Sequence, residues 1–279
     1  GTLLRMKYLL CLLVVSLFSC SRQKDYNVLL IISDDLTATA VSSYGNTLCQ
    51  TPHIDQLAAE GVLYTKAYAQ YPVCGPSRAS FLSGYYPSAT TTYGYVSGRE
   101  NIGEERKTWP QLFREAGYFT ARVSKILHMG VPIDIENGSD GTDDPASWDE
   151  RYNSQAAEWQ TQGAAELVQG NPEGTLERKG GNVMTVVKAE GDDLVHADGQ
   201  TAETASALIR KHKNEKFFLA VGMVRPHVPF VAPKSYFDPY PFETVVLPQK
   251  EEGDWDDIPK PGINYKTSAN MKMNVTRQK

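Results

Sequence analysis

Residues 27–35 read Asn27-Val28-Leu29-Leu30-Ile31-Ile32-Ser33-Asp34-Asp35, and this stretch decides the fold. Its continuous apolar run, rich in β-branched residues, predicts a strand buried on both faces, as in parallel sheets. The run stops at two adjacent aspartates. Because open α/β sheets bind ligands at the carboxyl ends of their strands, Asp34 and Asp35 become candidate site residues.

Helix and strand patterns alternate along the rest of the chain. The pattern predicts helices at 51–61, 76–82, 108–116 and 201–212, and strands at 62–68, 118–123 and 217–222. Such alternation is typical of a doubly wound α/β fold, with a mostly parallel sheet sandwiched by helices.

Two regions break this alternation. Residues 133–195 are rich in Gly, Asp, Asn and Gln and have no clear period, which predicts a long surface insertion with a small hairpin near Val183–Val187. After Pro226 the chain is predicted to be loop-like.

Composition limits the classes of function. The 279 residues are 41% hydrophobic, which is enough apolar material for a globular core. The formal net charge of -5 argues against nucleic-acid binding, which needs a basic face. An anionic substrate would need basic residues concentrated in a pocket.

The N-terminal residues resemble an export signal. Met6-Lys7 precedes an apolar run at 8–18 that is short for a membrane span, so residues 1–20 are interpreted as a signal peptide outside the fold. Leu17-Phe18-Ser19-Cys20-Ser21 resembles a bacterial lipobox, which implies lipidation at Cys20. The alternative is plain secretion with cleavage near Ser19. We expect an exported protein, periplasmic or lipid-anchored at the outer membrane of a bacterium.

Two cysteines remain once this segment is set aside. In an oxidising compartment Cys49 and Cys74 could form a disulfide. The alternative, which the context of Cys74 favours, is a buried thiol at Cys49 and a chemical role for Cys74.

Cys74-Gly75-Pro76-Ser77-Arg78 opens a predicted helix. Pro76 suits the first turn, so Cys74 is expected at a helix N-terminus, where backbone N–H groups and the dipole favour an anion. Arg78 lies in the first turn and could offer its guanidinium to oxygen atoms. The alternative is an ordinary helix start with a buried thiol.

This segment resembles the C-x-P-S-R signature of the type I, formylglycine-dependent sulfatases of the alkaline-phosphatase-like superfamily. The match continues through Ala79-Ser80-Phe81-Leu82-Ser83-Gly84, although Tyr85 stands where the family has arginine. The resemblance implies an alkaline-phosphatase-like fold. It also implies a maturation partner, a formylglycine-generating or anaerobic sulfatase-maturing enzyme, that oxidises Cys74 to formylglycine.

Asp34 and Asp35 suggest a metal ion, because adjacent carboxylates repel each other unless a cation lies between them. Hard oxygen ligands suit Ca²⁺ or Mg²⁺. The alternative is a solvated turn, as we interpret Asp143-Asp144, Asp192-Asp193 and Asp256-Asp257. The sulfatase resemblance implies Ca²⁺ rather than Mg²⁺, with the formylglycine from Cys74 as a further ligand.

Two later segments resemble the family's remaining site motifs. Ser124-Lys125-Ile126-Leu127-His128 resembles G-K-x-x-H, with serine in place of the glycine. The resemblance implies that Lys125 binds sulfate and that His128 hydrogen-bonds the formylglycine. Residues 217–230, with Pro226-His227-Val228-Pro229, resemble iduronate-2-sulfatase-like members, and His227 would contact sulfate. The alternatives are a surface lysine and two loop histidines.

The implied reaction is hydrolysis of a sulfate ester. A hydroxyl of the hydrated formylglycine attacks sulfur, His227 protonates the leaving alcohol, and His128 assists release of sulfate. Lys125, Arg78 and the metal ion would stabilise charge on the sulfuryl oxygens.

The implied substrate is a sulfated glycan, with a glycosaminoglycan uronate favoured and algal glycans left open. A phosphodiesterase or phosphonate hydrolase of the same superfamily is one alternative. An inactive glycan-binding fragment is another.

No Asp-His or Asp-Asn pair follows His227, although the family's later metal ligands have that form. We therefore expect residues 21–279 to be the N-terminal part of a C-terminally truncated catalytic domain. Because Ca²⁺ takes six to eight oxygen ligands, such a chain would bind metal weakly and be inactive alone.

Overall fold

A computed structural model describes residues 25–95, 98–167, 185–246, 249 and 251–263. Its strands are β1 Val28–Ser33, β2 Phe119–Ser124, β3 Glu150–Tyr152, β4 Gly163–Leu167, β5 Thr185–Ala189, β6 Phe217–Met223 and β7 Phe230–Pro233. Its α-helices are α1 Pro52–Glu60, α2 Cys74–Ser83, α3 Pro87–Thr90, α4 Arg99–Ile102, α5 Trp109–Glu115, α6 Ile133–Asn137 and α7 Ala197–His212. No helix among the described residues is long and apolar enough to cross a membrane.

The main sheet has the strand order β1-β6-β2-β3, and every pairing in it is parallel. A smaller sheet has the order β4-β5-β7, with β4 antiparallel and β7 parallel to β5. The carboxyl ends of β1, β2 and β6 therefore lie together, since Ser33 is opposite Met223 and Ser124 is opposite Gly222. The prediction of an α/β fold with a mostly parallel sheet is confirmed.

Helices cover both faces of the main sheet. On one face Leu82 of α2 and Ile102 of α4 pack with Phe218. On the other face Ala205 and Leu208 of α7 pack with Leu219 and Val221. Alternate residues of β6 thus point to opposite helical layers, and the prediction of a sandwiched sheet is confirmed.

Burial of β1 on both faces was predicted and is wrong. Leu29 is 46% exposed and Ile31 is 56% exposed, whereas Val28, Leu30 and Ile32 pack against the core on the α2 side. One face of β1 is exposed because β1 is the outer strand of the described sheet, and α7 packs on β6 and β2 instead.

The strand predicted at 62–68 is also wrong. This segment is irregular and exposed, and Val62 is 77% exposed. Its β-propensity is high, but no described strand pairs with it.

Residues 133–195 are not simply a surface insertion. They supply β3 to the main sheet and bury Ile135 and Trp148. Part of the predicted hairpin segment forms β5, which pairs antiparallel with β4, while Val183 and the connection between the two strands lie outside the described residues. The loop predicted after Pro226 contains β7.

The two cysteines that follow the predicted signal segment, Cys49 and Cys74, are both free and half-buried, so no disulfide joins them. Cys11 and Cys20, with the rest of the predicted signal peptide, lie outside the described residues.

Candidate active site

Helix α2 places Cys74 at its first residue, as the sequence predicts, and ends at Gly84 with a left-handed φ of 75°. The backbone of residues 94 and 95 passes directly over the helix start. A Cβ added to Gly75 would lie 2.5 Å from the carbonyl oxygen of Gly94 and 2.7 Å from that of Tyr95. The glycine after Cys74 therefore allows this loop to approach the site closely.

Cys74 contacts His128, whose Nδ1 lies 3.2 Å from the cysteine Sγ. The Tyr95 ring lies beside the imidazole, with centroids 5.4 Å apart. Thr142 fixes the backbone of His128 by donating from both its N–H and its hydroxyl to the His128 carbonyl, each at 2.9 Å. The structure thus brings together the two residues that the sequence predicts as nucleophile precursor and partner.

Three charged side chains form a buried ion cluster beside this pair. Asp34 accepts a 2.6 Å hydrogen bond from Arg78 Nη2 through Oδ1, and its Oδ2 lies 2.5 Å from Lys125 Nζ. All three are at most 4% exposed. Arg78 Nη1 also donates to the carbonyls of Lys125 and Ile126. Arg78 therefore joins α2 to the turn after β2, and its contact with sulfuryl oxygens stays a prediction.

The ion cluster shifts the pKa values of its members. Burial opposes ionisation of Asp34, but the charges of Arg78 and Lys125 outweigh it and lower its pKa to about 2. Burial lowers the pKa of Lys125, with Asp34 acting in the opposite direction. Burial, together with the charges of Lys125 and Arg78, lowers the pKa of His128 to about 4. Burial raises the pKa of the Cys74 thiol.

Lys125 is positioned by the end of β2. Ser124 has a left-handed φ of 58°, which turns the chain so that Lys125 enters the interior. On the neighbouring strand β6, a Cβ added to Gly222 would lie 2.0 Å from the Lys125 carbonyl oxygen. Because Gly222 has no side chain, the backbone of Lys125 can pack directly against β6.

His227 approaches the same strand ends from the loop between β6 and β7. It is 7% exposed, and its Nδ1 lies 2.5 Å from the Val228 carbonyl. Its Nε2 lies 4.0 Å from Asp35 Oδ2. Burial and the charge of Lys125 lower the pKa of His227, while the Val228 carbonyl and the carboxylates of Asp34 and Asp35 oppose this.

Sequence patterns did not identify the side chains that hold this loop. Asp198, in the first turn of α7, accepts hydrogen bonds from the backbone N–H groups of Val224 and Arg225. The Arg225 guanidinium donates to the carbonyl of His227 and pairs with Glu158. The available signal was weak, because an aspartate near a helix start is common and Glu158 lies in the region predicted as an insertion.

The two adjacent aspartates lie in different environments. Asp34 is buried in the ion cluster, whereas the side chain of Asp35, with a φ of 63°, is 60% exposed. Asp34 Oδ2 is paired with the ammonium of Lys125 at 2.5 Å. No group of three His, Cys, Asp or Glu side chains in the described part of the chain forms a metal cluster.

The profile of the sulfatase family matches residues 26–273, which is most of the chain. The chain belongs to the sulfatase family. It is 37% identical over 226 residues to human iduronate 2-sulfatase, an alignment that covers 79% of this chain and 38% of the relative. It is 31% identical over 245 residues to a sulfatase of Formosa agariphila, covering 85% of this chain and 46% of the relative. This sulfatase chain therefore spans less than half the length of these curated relatives.

The fold also matches solved structures of the family. The structure of BT4656 in complex with its substrate D-glucosamine-2-N,6-O-disulfate has a TM-score of 0.51 and 22% identity, covering 81% of this chain and 39% of that one. The prediction of an alkaline-phosphatase-like fold is confirmed for this sulfatase.

Proposed function

We propose that the protein hydrolyses sulfate esters of glycans, with formylglycine made from Cys74 as its nucleophile. The observation that carries this proposal is the contact of Cys74 with His128 at the start of α2, beside the ion cluster of Asp34, Arg78 and Lys125. Family membership and the iduronate 2-sulfatase relative support the same activity.

The protonation states argue against an unmodified cysteine as the nucleophile. A cysteine beside a histidine acts as a nucleophile when the pair forms thiolate and imidazolium. Here the pKa of the Cys74 thiol is raised and that of His128 is lowered to about 4, so both groups are neutral at pH 7. A neutral thiol is a weak nucleophile. Oxidation of Cys74 to formylglycine, whose hydrated aldehyde supplies a hydroxyl, resolves this difficulty.

The neighbouring side chains have complementary roles in this proposal. Arg78 and Lys125 supply two positive charges beside Cys74 that would interact with a bound sulfate group. His128, neutral at pH 7, can accept the proton whose removal expels sulfate. His227 can donate a proton from Nε2 to the leaving alcohol when its ring is protonated, because Nδ1 is engaged by the Val228 carbonyl. Because burial lowers the pKa of His227, this donor form is a minority at neutral pH, and it increases as the pH falls.

We propose Ca²⁺ as the metal ion, with Mg²⁺ as the less favoured alternative. Asp34 and Asp35 would hold it together with an oxygen at position 74, and it would supply positive charge to the sulfuryl oxygens. The position of Asp34 and Asp35 directly after β1, at the carboxyl ends of the parallel strands, supports this choice. Calorimetric titration with Ca²⁺ should show binding that the Asp35→Asn variant weakens at least about tenfold and that the exposed-loop variant Asp192→Asn leaves unchanged.

The finer substrate in this proposal is a sulfated uronate of a glycosaminoglycan, supported by the 37% identity to iduronate 2-sulfatase. Export, a lipid anchor at Cys20 and maturation by a formylglycine-generating or anaerobic sulfatase-maturing enzyme belong to the same proposal. An anchored enzyme outside the cytoplasm would meet polymeric glycans that cannot cross the inner membrane.

The proposed function is tested on the full-length protein co-expressed with a maturation enzyme. Mass spectrometry of the peptide around Cys74 should reveal an aldehyde, and the protein should release sulfate from sulfated uronate disaccharides. Cys74→Ser should abolish turnover and retain sulfate on the serine, because a single hydroxyl cannot re-form an aldehyde to expel it. Cys49→Ala, which removes the other free thiol of the described residues, should leave turnover unchanged.

Two results would contradict the proposal. Faster hydrolysis of the phosphate ester than of the sulfate ester of one alcohol would favour the phosphodiesterase alternative. Binding of sulfated glycans without turnover, by a protein that carries the aldehyde, would favour a glycan-binding role.

A further inference from the structure

His227 lies in a loop with little regular structure. Residues 224–229 connect β6 to β7, and prolines flank His227 at positions 226 and 229. A histidine that transfers a proton must hold its ring nitrogen within hydrogen-bond reach of the substrate oxygen. The orientation of His227 therefore depends on what fixes this loop.

Asp198 fixes the start of the loop. Its two carboxylate oxygens accept hydrogen bonds from consecutive backbone N–H groups, that of Val224 at 2.7 Å and that of Arg225 at 2.9 Å. Bonds of this type to an ionised carboxylate are shorter and stronger than neutral ones. Because Asp198 is in the first turn of the 16-residue helix α7, the loop is attached to a rigid element.

Arg225, whose backbone is held by Asp198, also contacts His227 through its side chain. Its Nη1 donates to the His227 carbonyl and its Nε to the Val231 carbonyl, each at 3.0 Å. Its Nη2 pairs with Glu158, which is 2% exposed. The hydroxyl of Ser33, directly before Asp34, donates to the Arg225 carbonyl at 2.6 Å.

A cavity of about 330 Å³ lies beside these hydrogen-bonded groups, and its lining includes Asp198, Arg225, Glu158 and Met223. The chain at Arg225 thus borders free space on one side. Without the carboxylate of Asp198 it can relax into that space, and His227 would move with it. Displacements of about 1 Å at a reacting group can reduce rates about a hundredfold.

We propose that Asp198 is a positioning residue for His227, acting through the backbone of Val224 and Arg225 and through the Arg225 side chain. The inference rests on the proposed role of His227 as proton donor to the leaving alcohol. Asp198 itself does not touch the substrate in this proposal.

The test compares two substrates of the matured, full-length protein. A sulfated sugar has a poor leaving group and needs the proton, whereas 4-nitrophenyl sulfate has a good leaving group and does not. Asp198→Ala should lower kcat on the sugar sulfate about 10- to 100-fold and on the aryl sulfate less than about threefold, with KM changed less than about twofold. Asp198→Asn, which keeps one acceptor oxygen, should lower kcat less than Asp198→Ala does. Its loss should again be larger on the sugar sulfate than on the aryl sulfate.

Matched variants separate positioning from general damage. Asp192→Ala removes a carboxylate that also accepts a backbone N–H, that of Leu194 at 3.0 Å, and should leave both rates unchanged. His227→Ala should by itself lower kcat more on the sugar sulfate than on the aryl sulfate. The double variant with Asp198→Ala should lose little further activity. If Asp198→Ala does not fold, Asp198→Asn provides the comparison.

Two outcomes overturn the inference. Equal losses on both substrates in both Asp198 variants, with a leaving-group-dependent loss in His227→Ala, would overturn the role of Asp198 alone. Equal losses on both substrates in His227→Ala would overturn the proposed role of His227, and the inference with it.

Discussion

At the scale of single residues, Ser124 departs from the glycine of the sulfatase pattern. It has a left-handed φ of 58°, and its buried hydroxyl makes no hydrogen bond among the described residues. A left-handed backbone costs about 1–2 kcal/mol for a residue other than glycine. An unpartnered buried hydroxyl adds a further penalty of about 1–3 kcal/mol. The turn that carries Lys125 into the site is therefore made by an unfavourable residue.

Ser124→Gly should raise the free energy of unfolding by about 1 kcal/mol or more, because relief of both penalties exceeds the roughly 0.5–1 kcal/mol that glycine adds in unfolded-chain entropy. Urea denaturation measures it. The matched control is Ser147→Gly, which removes a buried hydroxyl that bonds to Thr108 and Asp144 and should lower stability by about 1 kcal/mol or more. A comparable loss in both variants would contradict the argument.

At the scale of elements, Arg122 joins β2 to the segment that follows His128. Its side chain is 1% exposed and pairs with Asp140 and Asp143, and its Nη1 also donates to Asn153. Between those aspartates, Thr142 holds the carbonyl of His128. The arginine in the middle of a strand therefore helps to place a catalytic candidate.

Arg122→Met should lower the free energy of unfolding by about 3 kcal/mol, because the carboxylate of Asp143, 5% exposed, would lose its buried partner. Thermal melting and denaturant titration measure this change. Arg151→Met is the matched control, since Arg151 pairs with the same two aspartates at 37% exposure and should change stability by less than about 1 kcal/mol. Equal effects of the two variants would show that burial of Arg122 is not the cause.

At the scale of the whole molecule, His128 links stability to pH. Its pKa is about 4 in the folded protein and 6.5 as the ordinary value. Between these values the unfolded chain binds a proton that the folded protein does not. Stability is therefore highest above pH 6.5 and decreases as the pH falls towards 4.

His128→Gln should remove this dependence. Between pH 6.5 and 4 the wild-type protein should lose about 2 kcal/mol more unfolding free energy than the variant, after allowance for partial solvent screening of the ring. Denaturant titrations at stepped pH measure the difference. His53→Gln, at an exposed position of α1, should follow the wild-type profile, and a His128→Gln profile parallel to wild type would contradict the assignment.

The sequence was most informative where one local pattern sufficed. The apolar period placed β1, β2, β6 and α7, and Cys74 with Pro76 placed the start of α2. Prediction from the sequence failed where strand formation depended on whether a partner strand was available. Val62–Tyr68 has strand propensity but no described strand to pair with, and Glu150–Tyr152 becomes a strand because the edge of β2 is available to it.

By itself, the sequence determined the sulfatase family, the parallel sheet and the residues that meet at its strand ends: Asp34, Cys74, Arg78, Lys125, His128 and His227. Only the tertiary structure decided how they are paired. It placed Arg78 and Lys125 on Asp34 and showed that Asp198 supports the His227 loop. The physical reason is that a motif specifies which groups a strand end presents. Burial and charge neutralisation between distant segments then determine which of those groups contact each other.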